Sequence, residues 1–155
     1  MTSEEKKQYT ARVVQANRTE LVVIIYELIL DSVNEAEKAY NAGETEQGEE
    51  HVKKAQAYLT ELIGSLDMQY EISANLRQLY RYVNEQLIHT IIRRKPVNFA
   101  SVTQVLSGLM DSFAQIAKED SSTPVMGGQQ QVYAGLTYGK GTLTEYSTNG
   151  NGEWV

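Results

Sequence analysis

The segment Leu21-Val-Val-Ile-Ile-Tyr-Glu-Leu-Ile-Leu30 carries a single charged side chain, Glu27, in ten residues. At helical spacing, Val22, Ile25, Tyr26, Ile29, Val33, Ala36 and Tyr40 form one continuous apolar stripe, the expected core face. Leu21, Ile24 and Leu28 form a second stripe, turned from the first by about 100°. That second stripe stops where Asp31 and Glu35 take over. A helix that is apolar on most sides needs neighbours on most sides. Its β-branched residues are only middling helix formers, so tertiary packing has to hold it. The chain must therefore build a helical body around this segment.

Four segments show the helical period. The first runs from about 19 to 40, with Asn17 and Glu20 spaced as a capping box and Gly43 beyond the end. The second runs from about 45 to 66 and aligns Val52, Ala55, Leu59, Leu62 and Leu66. The third, about 69 to 95, carries Ile72, Leu76, Leu79, Val83, Leu87 and Ile91, and Pro96 ends it. The fourth opens at Asn98, an expected N-cap, and carries Val102, Val105, Leu106, Leu109, Phe113 and Ile116 before fading at Lys118-Glu-Asp120. Comparable lengths and short connections predict an all-α, antiparallel, up-and-down four-helix bundle over residues 18–119. A short, mobile N-terminal segment, 1–17, precedes it.

Residues 120–155 differ in character. From Ser121 onward the chain holds seven of its eleven glycines, three tyrosines and its only tryptophan, with few charges. No helical period repeats there. The expectation is a Gly/Tyr-rich, non-helical tail, either flexible or docked through Tyr133, Leu136, Tyr138 and Trp154. Gln131-Val-Tyr-Ala-Gly-Leu-Thr-Tyr-Gly139 alternates weakly, but its glycines argue against a stable strand.

In a bundle of four, each helix leaves its outer side wet, so the second stripe at Leu21, Ile24 and Leu28 needs a separate explanation. Residues 8–14 could cover it with Tyr9, Val13 and Val14. It could equally be an exposed groove that marks a binding site, or the helix could simply be well buried in an irregular bundle.

Charge and chemistry narrow the function classes. The formal net charge is −6, which disfavours nucleic acid and anionic membrane as partners. The one basic run, Arg93-Arg-Lys95, suits the end of a helix, where cations complement the dipole. No apolar run reaches the roughly 18 residues of a membrane span, and the polar start Met1-Thr-Ser-Glu-Glu-Lys lacks a signal-peptide pattern. A cytosolic protein is expected. The chain has no cysteine, which excludes disulfides and thiolate chemistry.

His51 and His89 fall on different helices, and Gly48 and Gln86 stand where a di-metal site would need glutamates. Gly135-Leu-Thr-Tyr-Gly-Lys-Gly141 resembles a phosphate loop, but its glycine spacing is one residue short and Gly141 replaces the required Ser or Thr. No catalytic residue, metal or cofactor is expected. Two classes remain: a helical module that captures an apolar peptide, and an adaptor or self-associating bundle with another protein partner.

Leu21-Val-Val-Ile-Ile-Tyr26, then His51 to Asp67, then Asn75-Leu-Arg-Gln-Leu-Tyr-Arg-Tyr82 resemble, in order and spacing, the flagellin export chaperones of the FliS family. The resemblance covers about residues 8–119. It implies a non-enzymatic cytosolic chaperone that binds the disordered C-terminal segment of flagellin, prevents premature polymerisation and keeps the client competent for flagellar type III export. It also implies a short N-terminal segment with a role in client or export-gate contact, which points to Tyr9 and Val13. The expected client-binding residues are Tyr9, Val13, Leu21, Ile24, Leu28, Tyr80 and Tyr82, the tyrosines being equally suited to the core. A monomer or weak homo-oligomer is expected. Phe113 stands where many family members carry tryptophan, and the tail has no counterpart in the family pattern.

Overall fold

The computed structural model describes residues 1–119 and Pro124. Five helices follow one another: α1 Ser3–Gln15, α2 Arg18–Asn41, α3 Thr45–Ser65, α4 Glu71–Arg93 and α5 Phe99–Glu119. The described residues contain no strand. No helix among them is long and apolar enough to cross a membrane.

The first helix is a departure from the expected N-terminal segment. Its ends explain it. The Thr2 hydroxyl accepts from the Glu5 N–H at 3.1 Å, and the Thr2 N–H donates to Glu5 Oε2 at 2.6 Å. This reciprocal box satisfies two of the donors that a helix start leaves open. The same bond holds the Glu5 carboxyl below the usual carboxylate range.

At α2, Asn17 caps as expected, accepting from the Glu20 N–H at 2.9 Å. Only this half of the expected box is made there. Replacing Asn17 with alanine should cost about 1 kcal/mol, read as a lower urea midpoint.

The α2–α3 turn is a Schellman closure. Gly43 N–H bonds Tyr40 C=O and Glu44 N–H bonds Ala39 C=O, with Gly43 at φ 80°. The Tyr40 ring then lies against Gly48, where an added Cβ would come within 2.8 Å of it.

Asn98 precedes α5 as expected but does not cap it with its side chain. It sits at φ 54° and donates from Nδ2 to Gln86 Oε1 at 2.8 Å, tying the α4–α5 turn back onto α4. Arg94, also left-handed at φ 57°, ends α4.

The central position of α2 is clear from its partners. It packs most extensively against α3 and α5, while α3 packs on α4. Its whole expected core face is buried except for half-buried Tyr40. Tyr26 is the pivot: its hydroxyl shares a hydrogen bond with that of Tyr80 on α4, and its ring lies 5.8 Å from that of Phe113 on α5. The α3 seam is buried throughout. On α4 the buried face is turned relative to expectation. Ser73, Leu76, Tyr80, Val83 and Leu87 point inward, whereas Ile72 and Leu79 are 52% and 37% exposed.

Candidate functional site

Leu21, Ile24 and Leu28 are all buried, so the second stripe of α2 is not an open groove in this conformation. Val13, 6% exposed, and Ala16 belong to the same apolar cluster, and half-buried Tyr9 packs against it. The N-terminal helix therefore adds apolar side chains to the core cluster that contains the surplus stripe. Val14, one position on, faces away and is exposed.

An ion pair orients α1 against α2. Arg12 Nη1 donates to Glu27 Oε2 at 2.5 Å and Nη2 to Glu27 Oε1 at 3.0 Å, a two-pronged contact that sets orientation as well as distance. The bond pushes the Arg12 guanidinium above its ordinary value. The guanidinium carbon also lies 5.5 Å from the centre of the Tyr9 ring, within cation–π range. Glu27, the lone charge in the apolar decapeptide, is thus the anchor for α1. Both partners are partly exposed, so the pair is worth only about 0.2–1 kcal/mol, and apolar burial carries most of the docking.

Clefts open at both ends of this contact. One, of about 330 Å³, is lined by Arg12, Gln15, Glu20, Val23, Ile24 and the α5 residues Ala114, Ala117 and Lys118. The other, of about 470 Å³, runs from Tyr9 past Glu27, Leu30, Asp31 and Val33 to Ser107 and Met110 on α5. Val23, Leu30 and Met110 are half-buried apolar side chains on these walls. The seam between α2 and α5 is therefore partly open, and α1 residues line both clefts.

The two remaining expected residues lie elsewhere. Tyr80 is buried at the Tyr26 contact. Tyr82 is half-buried, its hydroxyl 2.8 Å from that of Ser101 on α5. Val23, Leu30 and Met110, absent from the expected set, reach the site because α5 packs beside α2. In the sequence they read only as ordinary apolar positions.

Burial raises the phenols of Tyr9, Tyr40 and Tyr58, and nearby carboxylates add to it: Glu27 and Asp31 at Tyr9, Glu49 at Tyr40, Asp31 at Tyr58. Above the ordinary value of 10.0 the unfolded chain loses these protons first, so folding stability falls as pH rises through the alkaline range. The melting temperature should decline from about pH 10 upward, and Tyr9→Phe should flatten part of that decline.

No cluster of His, Asp or Glu among the described residues could hold a metal ion. His51 and His89 lie apart on α3 and α4. The phosphate-loop-like run at 135–141 and the alternating run at 131–139 lie outside the described residues.

The sequence model of the family described as flagellar protein FliS matches residues 1–120. The chain belongs to the FliS family. That family is one of flagellar export chaperones rather than enzymes. Its match ends where α5 ends, leaving residues 121–155 beyond it. No curated protein matches the chain.

Proposed function

We propose that this FliS-family protein is a cytosolic chaperone that binds the disordered C-terminal segment of flagellin, blocks its premature polymerisation and keeps it competent for flagellar type III export. In this reading α2–α5 form an antiparallel up-and-down four-helix bundle and α1 is a displaceable cover. Short connections and the cross-helix contacts Tyr40–Gly48, Gln56–Asn84 and Tyr82–Ser101 support that topology.

The observation that carries the reading is the cover over the second stripe. Leu21, Ile24 and Leu28 form an apolar stripe beyond the core face of α2, they are buried, and Val13 and Ala16 join the same apolar cluster, with Ile24 lining a cleft beside Arg12 and Gln15 of α1. A client that folds on binding loses ordering entropy and needs a long apolar track in compensation. With α1 displaced, the two clefts join along the α2–α5 seam from Glu20 to Glu37, a length of about 25 Å at helical rise. Helix-in-groove recognition uses anchors of this kind. Tyr9, Val13, Leu21, Ile24 and Leu28 belong to this exchange. Tyr80 and Tyr82 act from within the packing rather than on the track.

Calorimetric titration of the full chain with the C-terminal segment of a flagellin tests the reading. Saturable binding with a clearly negative heat-capacity change is expected. Absence of binding to the flagellin of the same cell would leave an adaptor with another partner as the better account.

A further inference from the structure

Ile72 and Leu79 lie seven residues apart on α4, two helical turns, and so share one side of it. That side falls between the buried face at Leu76, Tyr80 and Val83 and the side carrying Tyr82, which bonds Ser101 of α5. Residues on such an edge should be covered by α5. They are not: α4 and α5 make the slightest contact of any neighbouring pair among α2–α5. The recorded side-chain bonds between them, Tyr82–Ser101 and Gln86–Asn98, cluster at the turn that joins them. Toward the other end none of the recorded side-chain bonds joins them.

The opposite wall is apolar too. Val105, Leu109 and Ile116 on α5 are half-buried. Met68 and Tyr70, in the connection before α4, extend the exposed apolar surface around the corner. Four large exposed apolar side chains fall within twelve residues, with Ile72 and Leu79 on one side of α4, and such a concentration calls for an occupant.

We propose that the occupant is this chain's own segment Gln131-Val-Tyr-Ala-Gly-Leu-Thr-Tyr138, seated against Ile72 and Leu79 with Tyr133, Leu136 and Tyr138 as its anchors. Three observations single it out. The α5 helix ends at Glu119, away from the turn that joins it to α4, so in an antiparallel pair the chain departs beside the start of α4, where Ile72 lies. Leu136 lies seventeen residues beyond Glu119, a reach of up to about 56 Å, which exceeds the roughly 35 Å length of α4. The segment has no charged residue and brings three large apolar or aromatic side chains, matching a patch whose exposed members are Met, Tyr, Ile and Leu. It also lies beyond the family match, so the family's shared fold makes no use of it. The patch is on the α4 side of α5, whereas the proposed client track is on the α2 side. The two readings can therefore fail independently.

The absence of native cysteine makes a crosslink unambiguous. In the full-length chain, the pair Leu79→Cys with Leu136→Cys is compared with Arg77→Cys with Leu136→Cys, in oxidised glutathione at low protein concentration. Arg77 is also exposed, at the same height of α4 but about 200° around it, so tether length and accessibility are matched. Docking raises the effective concentration at position 79, and closure there should be at least about tenfold faster. Adding Tyr133→Ser and Tyr138→Ser should bring it down to the rate at position 77. Equal rates for the two pairs would overturn the proposal. So would a mainly intermolecular product, which would place a second copy on the patch.

Discussion

Replacing Val13 with aspartate is expected to tighten binding of the flagellin C-terminal segment by about tenfold to a hundredfold. Val13 is the most deeply buried side chain of α1 apart from its boundary with α2, and it joins the cluster that holds Leu21, Ile24 and Leu28. Full burial of such a side chain is worth about 1.5–3 kcal/mol, and a carboxylate cannot stay there. With α1 undocked, the fraction of molecules able to accept the client rises, and apparent affinity rises by the same factor. Each 1.4 kcal/mol corresponds to roughly tenfold. Val14→Asp is the control, because Val14 is exposed and should leave binding unchanged. Calorimetry on both variants decides. Unchanged affinity for Val13→Asp would show that α1 does not cover the client track. Weaker affinity would make α1 part of the track itself.

Tyr26→Ala should be among the most damaging single changes to stability, at about 3–5 kcal/mol. Tyr26 is fully buried where three helices meet, with its hydroxyl bonded to Tyr80 and its ring against Phe113. Truncation removes a large apolar body and a buried hydrogen bond together, and leaves a cavity that helices tied at their turns cannot close. For a body of this size the melting temperature should fall by roughly 10–20 °C. Tyr82→Ala is the comparison. Tyr82 is half-buried and keeps one bond to Ser101, so its loss should cost nearer 1 kcal/mol. Urea denaturation of the two variants measures the difference, and equal losses would contradict the pivotal position of Tyr26.

Much of the helical body was legible in the chain because helical periodicity is a local property. The inward faces of α2 and α3 follow from spacing alone, and Pro96 and Gly43 mark boundaries through backbone geometry that any neighbour would leave unchanged. The FliS-family resemblance rested on the order of such stretches, and the family match bears it out. The second stripe at Leu21, Ile24 and Leu28 was also plain, since a wheel needs no partner to be drawn.

What covers that stripe was decided by tertiary structure. Residues 3–15 have a modest apolar content, and the sequence pattern alone predicts no helix there. They form a helix because Thr2 and Glu5 close its start and because Val13 and Ala16 find apolar partners on α2. Those contacts form only when the chain turns back between α1 and α2, and Glu27 becomes an anchor only when Arg12 arrives opposite it. The turned face of α4 has the same origin. Periodicity ranked Ile72 and Leu79 as core because it counts apolar residues, but burial depends on where α5 lies. The recorded bonds between α4 and α5 cluster at their turn, and the contact between the two helices is slight. Sequence alone determined which residues share a side of each helix. Which sides meet another helix, and which are left for a partner, depended on side chains far apart in the chain coming into contact.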